Sequence, residues 1–461
     1  MKTRPWRRYI GAGVFCILVL ASAVSAGSIE AVLFTVGGEF QATNTFKSAL
    51  ISLIDNAQKT IDVAVYNLRD NDVIDALNNA VTRGVTVRVF TDGDNNNAGD
   101  PIKNLDANIT VKDDGGNVNE MHHKFVVVDV DEADARVWTG SANFTSPSFS
   151  SQNNNAVIIK DPTVADIYRD EFERLYVSGE SHQNKGTVPN KVILDDGTTV
   201  QVYFSAGMNM QNQYAGLIGA ATKSFYYAVY TYNSSTISDA MIAQSGLSSF
   251  GLFEADQTTN ANFTKLDEQQ AAGMNVATDV NPFEMHHKFL VLDATTVATG
   301  SYNFTSAGDV DNDENAVVIG NNSGIAQKYI QEINRIASQN LENLGSNDPT
   351  DTSAATSSGS TSTSTTTSGV TGVVVSGPNP FIPGSGNALT FFSKDAGAIR
   401  KIDIFDFAGR LIRTLLPTTT NTTEVSWDGR NIRNAFVSSG NYYYRVESGG
   451  QVFVGRFTVV R

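Results

Sequence analysis

The chain has 461 residues, of which 41% are hydrophobic, so it is too long for one ordinary domain and apolar enough for two or three cores. Its formal net charge of -15 at pH 7 repels polyanions at long range. Non-specific binding to nucleic acid depends on a basic surface, so this charge argues against a nuclease unless a local basic cleft exists.

The first 26 residues predict a secretory signal peptide. Basic residues precede an apolar run from Ile10 to Leu20, and small residues follow up to Ala26. The run is shorter than the roughly 20 residues that a membrane-spanning helix needs, so we expect cleavage after Ala26 rather than a permanent anchor. The only cysteine, Cys16, lies in this segment, so the mature chain has no disulfide. The expected location is secreted, periplasmic or on the cell surface.

Residues 27–185 and 186–344 predict two copies of one α/β unit. In the first copy Ile61, Val63 and Val65 alternate as in a strand, and a helical stripe and a second alternating segment follow. The order strand, helix, strand implies a right-handed crossover and a parallel pair of strands. The second copy repeats this plan.

Both units contain the same polar motif. The sequence Met-His-His-Lys-Phe occurs at 121–125 and again at 285–289, and Gly-Ser-x-Asn occurs at 140–143 and again at 300–303. These motifs hold four of the five histidines of the chain. A repeat of this kind indicates a duplicated unit.

Each motif places a histidine and a lysine on one face of a buried strand, because side chains alternate along a strand. The pairs are His122 with Lys124 and His286 with Lys288. Two lysines neutralise the non-bridging oxygens of a phosphodiester, while one histidine attacks phosphorus and the other protonates the leaving oxygen. This chemistry requires no metal and no other cofactor.

Further polar residues accompany the motifs. The side chains placed to donate hydrogen bonds to the same phosphate oxygens are Ser141, Asn143, Ser301 and Asn303. The side chains that alternate to the opposite face, and that we interpret as packing or supporting groups, are His123 and His287.

Both copies match the pattern His-x-Lys-x4-Asp followed by Gly-Ser-x-Asn, which resembles the signature of the phospholipase D superfamily. The resemblance spans roughly Val32 to Ile336. It implies two repeats related by a pseudo-twofold axis, packed into one αβαβα sandwich with both motifs in one cleft. It also implies a covalent phosphohistidine that water or an alcohol then resolves. The residues to which it assigns roles are the catalytic His122, Lys124, His286 and Lys288, the phosphate-binding Asn143 and Asn303, and the structural Asp129 and Asp293.

One position departs from the family pattern. The family usually places an acidic residue after the Gly-Ser-x-Asn loop to orient the histidine of the same repeat; the second copy has Glu314 there and the first has Asn154. A carboxylate favours an imidazolium, whereas an amide fixes a neutral tautomer. We therefore predict that Glu314 pairs with His286, the protonated acid, and that His122 is the neutral nucleophile.

The remainder of the chain predicts a linker and a small all-β domain. Residues 345–376 are dominated by Ser and Thr, which is typical of a flexible linker, and 377–461 read as the short strands of a sandwich. Motifs such as those at 379–381 and 427–430 resemble the immunoglobulin-like C-terminal domain of the flagellar hook-capping protein. This resemblance implies contact with the cell surface or the secretion machinery, and a passive spacer is an equal alternative.

The expected function is hydrolysis of the headgroup phosphodiester of a phospholipid, with transphosphatidylation to alcohols as a second outcome and with transient contact to a membrane surface. One alternative is a secreted, metal-independent nuclease of the same superfamily, which the acidic charge disfavours. Another is a non-catalytic surface-binding protein, which the two intact motifs disfavour.

Overall fold

The computed structural model of the protein describes residues 27–35, 45–116, 118–183, 185–259 and 264–346, and shorter stretches between 372 and 459. The predicted signal peptide and most of the predicted linker lie outside the described residues.

The first repeat forms a seven-stranded sheet in the order β1-β7-β6-β5-β2-β3-β4. The strands are β1 (Ser28–Phe34), β2 (Thr60–Val65), β3 (Thr86–Thr91), β4 (Thr110–Asp113), β5 (Lys124–Val128), β6 (Arg136–Gly140) and β7 (Asn155–Lys160). As the order strand, helix, strand predicts, β2 and β3 are parallel. The motif strand β5 is central and pairs with β2 on one side and β6 on the other, both antiparallel.

The second repeat forms an eight-stranded sheet in the order β12-β11-β10-β13-β14-β15-β9-β8. The strands are β8 (Val192–Ile193), β9 (Thr199–Phe204), β10 (Ser224–Val229), β11 (Ser248–Phe253), β12 (Val276–Thr278), β13 (Lys288–Leu292), β14 (Thr296–Gly300) and β15 (Asn315–Gly320). Apart from the added edge strand β8, the neighbour relations repeat those of the first sheet. The motif strand β13 therefore takes the central place that β5 has.

Nine α-helices complete the two repeats within the described residues. They are α1 (Thr45–Asn56), α2 (Asn71–Thr82), α3 (Ser146–Ser150), α4 (Pro162–Tyr176), α5 (Met210–Gly219), α6 (Ser235–Ala243), α7 (Leu266–Ala271), α8 (Ser306–Val310) and α9 (Ser323–Ser346). None of these described helices is long and apolar enough to cross a bilayer.

Three hydrophobic cores separate the layers. The central core joins the facing sides of both sheets to α4 and α9, through residues such as Phe172 and Ile333. The outer side of the first sheet packs against α1 and α2, and the outer side of the second packs against α5 and α6. The order helix, sheet, helix, sheet, helix is the predicted αβαβα sandwich.

Within the stretches that the structure describes between 372 and 459, the chain forms two small β-sheets that share one core. The strands are β16 (Gly372–Ser376), β17 (Leu389–Lys394), β18 (Ile399–Asp406), β19 (Leu411–Leu415), β20 (Glu424–Trp427), β21 (Gly440–Ser448) and β22 (Gln451–Val459). The sheets have the orders β16-β17-β20 and β19-β18-β21-β22, and Phe391, Trp427 and Phe457 lie between them. The predicted small all-β module is therefore present. Its likeness to the hook-capping domain and the exact domain limits stay predictions.

Candidate active site

The two histidine motifs lie where the repeats meet. Each motif is hydrogen-bonded to the turn that follows the Gly-Ser-x-Asn loop of the opposite repeat. The backbone N–H of His122 donates to the carbonyl of Asp313 at 2.9 Å, and the N–H of Asn153 donates to the carbonyl of Glu284 at 2.9 Å. The two crossed connections follow from the pseudo-twofold relation between the repeats.

This crossing also decides which group orients each histidine. The Nδ1 atom of His122 lies 2.8 Å from Oε1 of Glu314, and Nδ1 of His286 lies 3.0 Å from Oδ1 of Asn154. The predicted pairing of Glu314 with His286 is therefore wrong. Glu314 follows the second motif in sequence, but the bridge between Met121 and Asp313 carries it alongside the first motif.

The two lysines are fully buried beside their histidines. The ammonium of Lys124 donates to the carbonyl of His122 at 2.8 Å, and that of Lys288 donates to the carbonyl of His286 at 3.0 Å. Burial lowers the pKa of Lys124 to about 8. Burial and the nearby Lys124 ammonium hold the pKa of Lys288 well below its usual value. Two cations forced together in this way favour an anion between them.

Burial and the neighbouring ammonium groups also lower the pKa values of the two imidazoles. Burial, followed by the Lys124 ammonium, lowers the pKa of His122 well below its usual value, and Lys288 adds to this effect. Burial and then Lys288 lower the pKa of His286, with contributions from Lys124 and His122. Each histidine thus responds to the charges of both pairs, in agreement with the crossed hydrogen bonds that bring the two motifs together where the repeats meet.

The carboxyl group of Glu314 has a raised pKa. Burial raises its pKa to about 8, while Lys124, the Ser301 hydroxyl and Lys288 act in the opposite direction. Its hydrogen bond to His122 and these two ammonium groups are therefore what favours the ionised form.

The hydroxyls of Ser141 and Ser301 support the orienting groups. Ser141 donates to Oδ1 of Asn154 at 2.8 Å and accepts from the N–H of Asn155 at 3.1 Å. Ser301 donates to the carbonyl of Asn315 at 3.4 Å and accepts from the N–H of Asn315 at 2.9 Å, and its hydroxyl is near enough to Glu314 to lower the pKa of that carboxyl. Both hydroxyls are buried and hydrogen-bonded within the protein, and their predicted contact with substrate oxygens stays a prediction.

Asn143 and Asn303 differ from the serines. Their side chains are partly exposed, and among the described residues their Oδ1 atoms are buried without a hydrogen-bond partner. An amide oxygen accepts hydrogen bonds, so these atoms suit a donor group of a bound ligand, whereas contact with phosphate oxygens would use the side-chain NH2 groups. The predicted contact of both asparagines with phosphate stays a prediction.

The motif aspartates lie at the far end of their strands. Asp129 accepts from the N–H groups of three consecutive residues, Gln58 to Thr60, at the start of β2. Asp293 accepts in the same way from Thr222 to Ser224 at the start of β10. Both contacts are those of structural residues that anchor the neighbouring strand.

The second histidine of each motif points into the central core. Nε2 of His123 lies 3.0 Å from Oε1 of Glu171 on α4, and Nε2 of His287 lies 3.0 Å from Oε1 of Glu332 on α9. This placement agrees with their interpretation as supporting groups. The two glutamates are not predicted by the sequence analysis, although each lies on a helix that follows its motif at nearly the same spacing.

Two tyrosines beside the motif histidines are not among the residues predicted from the sequence. The ring of Tyr66 lies 5.1 Å from that of His122, and the ring of Tyr230 lies 4.6 Å from that of His286, measured between centroids. The Lys288 ammonium is 4.8 Å from the centre of the Tyr230 ring. The sequence offset that relates His122 to His286 also relates Tyr66 to Tyr230, which is the signal that finds them.

One group of side chains within the described residues has the spacing of metal ligands, namely His123, Glu171 and Asp313. The Lys185 ammonium lies 3.1 Å from Glu171 Oε1 and 2.6 Å from Asp313 Oδ1. A protein cation therefore already occupies the place that a metal ion would take. The donor set does not fit a metal centre while Lys185 is there.

Comparisons with known proteins agree with this architecture. A family model described as "Cardiolipin synthase, PLD-like domain" matches residues 50–176 and 214–337, which together make up more than half of the chain. The chain is 26% identical over 189 residues to a mitochondrial cardiolipin hydrolase of Chlamydomonas reinhardtii, covering 37% of this chain and 82% of that protein.

Two further comparisons cover shorter parts of the chain. It is 34% identical over 126 residues to a phospholipase D of Rickettsia conorii, covering 27% of this chain and 62% of that protein, which is less than two thirds of its length. The crystal structure of the phospholipase D family member Nuc from Salmonella typhimurium aligns with a TM-score of 0.29 and 26% identity, over 31% of this chain and 95% of that one. Because the family model spans both repeats and both motifs, the chain belongs to the phospholipase D-like family of phosphodiesterases.

Proposed function

We propose that the protein hydrolyses the headgroup phosphodiester of phospholipids through a covalent phosphohistidine. The observation that carries the proposal is the unequal orientation of two imidazoles that face one site. A carboxylate, Glu314, holds Nδ1 of His122, whereas an amide, Asn154, holds Nδ1 of His286.

His122 is the proposed nucleophile. In the attacking form Glu314 is ionised and accepts a hydrogen bond from Nδ1–H of His122, which leaves the lone pair on Nε2 free to attack phosphorus. With a pKa of about 8, Glu314 reaches this form as the pH rises towards that value. As the P–N bond forms, the ring becomes positively charged, and the adjacent carboxylate stabilises that charge. The predicted role of His122 is thus kept, but the group that supports it is the one first assigned to His286.

His286 is the proposed general acid. Its Nε2 proton passes to the leaving oxygen as the P–O bond to that oxygen breaks. The neutral His286 then takes a proton from water, the water oxygen bonds to phosphorus, and the P–N bond to His122 breaks. An alcohol in place of water gives transphosphatidylation. Burial and the ammonium groups of Lys288 and Lys124 hold the pKa of His286 well below its usual value, and a phosphate anion bound between the two lysines would raise it.

The substrate class rests on two lines of support. Similar proteins are a cardiolipin hydrolase and a phospholipase D. The carboxylates of Glu120 and Glu284 lie beside the site, 3.5 Å from the Tyr66 hydroxyl and 3.2 Å from the Tyr230 hydroxyl. With the chain charge of -15, they disfavour a long polyanion such as nucleic acid.

Export is part of the same proposal and rests on the N-terminal sequence. A basic start, an apolar run and small residues up to Ala26 favour a cleaved signal peptide and a location outside the cytoplasm. For the C-terminal module we propose contact with the cell surface or the secretion machinery. A cell fractionation with an antibody to the module tests both ideas, and recovery of uncleaved protein in the cytoplasm contradicts them.

The central test is turnover and trapping with the full-length protein in chelator. Vesicles of phosphatidylcholine, vesicles containing cardiolipin, and plasmid DNA are offered in parallel. We expect lipid hydrolysis that is lost in His122→Asn, and retained in the control Lys401→Met on the C-terminal module. With a reporter whose leaving group needs no proton, His286→Asn should still form the phosphoenzyme. Label on His286, or cleavage of DNA without lipid turnover, contradicts the proposal.

A further inference from the structure

A charged network connects the segment between the repeats to the residue that precedes Glu314. Asp313 is fully buried, and its Oδ1 atom lies 2.6 Å from the Lys185 ammonium. The backbone N–H of His182 donates to the same oxygen at 3.0 Å, and Nδ1 of the His182 ring lies 3.2 Å from Oδ2. Two residues of the inter-repeat segment therefore hold the Asp313 carboxylate.

The backbone of Asp313 is fixed to the first motif at the same time. It accepts from the N–H of His122 at 2.9 Å, and its own N–H donates to the carbonyl of Glu120 at 2.9 Å. The next residue is Glu314, whose carboxylate lies 2.8 Å from Nδ1 of His122. Any displacement of Asp313 therefore moves both the backbone and the carboxylate that orient His122.

The network is charged at every step. Nε2 of His182 lies 2.9 Å from Oδ2 of Asp114, so the charged groups that face this ring are Asp114, Asp313 and Lys185. Burial lowers the pKa of His182, but the hydrogen bond to Asp114 and the charge of Asp313 outweigh burial and raise it overall. Burial also lowers the pKa of Lys185, and the carboxylates of Glu171 and Asp313 outweigh it in the same way.

The corresponding turn of the first repeat, beside His286, carries neutral groups. Asn153 takes the position of Asp313, and its Oδ1 accepts from the side chain of Asn281 at 2.7 Å. Asn154 follows it and holds His286 at 3.0 Å. The duplicated turn thus carries two carboxylates beside His122 and two amides beside His286.

We infer that His182 and Lys185 are positioning residues for the attacking histidine, an inference that rests on the proposed function. By balancing the charge of Asp313, they favour the ionised form of Glu314, which accepts a hydrogen bond from His122. An unbalanced carboxylate at Asp313 would repel the carboxylate next to it in the chain and favour protonation of Glu314. Protonated Glu314 would donate to Nδ1 of His122 and leave the proton on Nε2, which then has no lone pair for attack.

The test removes one cation from each half of the site. Lys185→Met removes the ammonium and keeps most of the side-chain volume. Arg335→Met is the matched control, since Arg335 lies 2.7 Å from Glu332, the partner of His287. For Lys185→Met we expect kcat on a phosphodiester reporter to fall by about 10- to 100-fold at little change in KM. The acid limb of its pH profile should move to higher pH, and Arg335→Met should leave both measures unchanged.

A rescue separates charge balance from simple destabilisation. Adding Asp313→Asn to Lys185→Met removes the unbalanced carboxylate and should return the acid limb to its native position. A native profile in Lys185→Met, an equal loss in Arg335→Met, or no rescue in the double variant overturns the inference. If Lys185→Met does not fold, His182→Gln carries the same test, because it keeps a donor towards Asp114 and loses the ring charge.

A spectroscopic measurement keeps this inference apart from the proposed function. The chain has five histidines, so ¹⁵N-histidine spectra resolve the ring tautomer of His122 without any turnover. We expect the Nδ1–H tautomer in the native protein and a shift towards Nε2–H in Lys185→Met. An inactive native protein would refute the proposed function, whereas an unchanged tautomer in an active protein would refute only the positioning role.

Discussion

Replacing Glu314 by glutamine tests the division of labour between the two histidines. The carboxylate Oε1 lies 2.8 Å from Nδ1 of His122, so the centre of the imidazole ring lies about 4 Å from the negative charge. A pair of unit charges at about 4 Å is worth roughly 4 kcal/mol at an effective dielectric constant near 20. Glu314→Gln keeps a hydrogen-bond acceptor and removes this charge.

The size of the effect follows from the charge that His122 gains during attack. Each loss of about 1.36 kcal/mol in transition-state stabilisation slows a reaction tenfold, so the full interaction corresponds to about 10³-fold. Because the ring is only partly charged in the transition state, we expect kcat for phosphoenzyme formation to fall by about 10²- to 10³-fold.

Stability should change in the opposite direction. Burial raises the pKa of Glu314 to about 8, well above the usual range of a carboxyl group. A carboxyl with a raised folded-state pKa costs stability once the pH exceeds its unfolded value, and the cost grows as pH rises towards the folded value. Glu314→Gln should therefore melt at a higher temperature than the native protein at pH 7.

Single-turnover quench-flow measures the first effect and thermal denaturation measures the second. Asn154→Gln serves as a control, because it changes an amide side chain next to His286 without changing charge. With a reporter whose leaving group needs no proton, a fall of less than tenfold for Glu314→Gln, or an equal fall for Asn154→Gln in phosphoenzyme formation, would refute the assignment of His122 as the nucleophile.

Three further outcomes are expected. Asp129→Asn should lower the free energy of unfolding by about 1 to 3 kcal/mol, because Asp129 accepts hydrogen bonds from three backbone N–H groups. Urea denaturation measures this loss, and kcat of the folded fraction should stay native. A large loss of kcat would show that Asp129 takes part in the chemistry. Because the pKa of Lys124 is about 8, activity should decline as the pH rises through that value and the ammonium loses its charge. Measurements of kcat/KM between pH 6 and 10 should show this alkaline decline, and Lys124→Arg should abolish it. Burial, followed by the charge of Asp279, raises the pKa of Glu254 to about 7, so this carboxyl costs stability at pH 7.5 and little at pH 4.5. Glu254→Gln should therefore raise Tm more at pH 7.5 than at pH 4.5. An equal change in Tm at both pH values would contradict this prediction.

The sequence predicts the fold because its evidence is local and repeated. Each element is specified by a pattern among residues that are close in sequence, as in the alternation of β2, the helical stripe of α2 and the duplicated motifs. The two-sheet sandwich then follows from the family resemblance and from the need of each sheet to bury both faces. The two histidine–lysine pairs are predictable for the same reason, since parity along β5 and β13 fixes which side chains share a face.

The partners of those pairs depend on packing between the repeats, which local patterns do not contain. Glu314 belongs to the same repeat as His286, yet it contacts His122 because the turn after each Gly-Ser-x-Asn loop pairs with the motif of the opposite repeat. Ser141 and Ser301 lie on the predicted loops, but the hydroxyl of Ser141 donates to Asn154 and that of Ser301 pairs with the backbone of Asn315. Lys185 stands alone in an irregular segment, with no periodicity that would indicate its contact with Asp313.

The exchange of carboxylates for amides in one duplicated turn explains how a symmetric scaffold supports an asymmetric reaction. Two identical imidazoles between two lysines would compete for the same proton, and neither would be committed to attack or to proton donation. A carboxylate beside His122 favours the ring that gains positive charge, and the amide beside His286 leaves that ring free to change protonation state with the bound phosphate. The buried carboxylate then needs its own compensation, because Asp313 adds a second negative charge next to it. The inter-repeat segment provides this compensation through Lys185 and His182, so the segment that joins the repeats also helps to make their two active-site halves different.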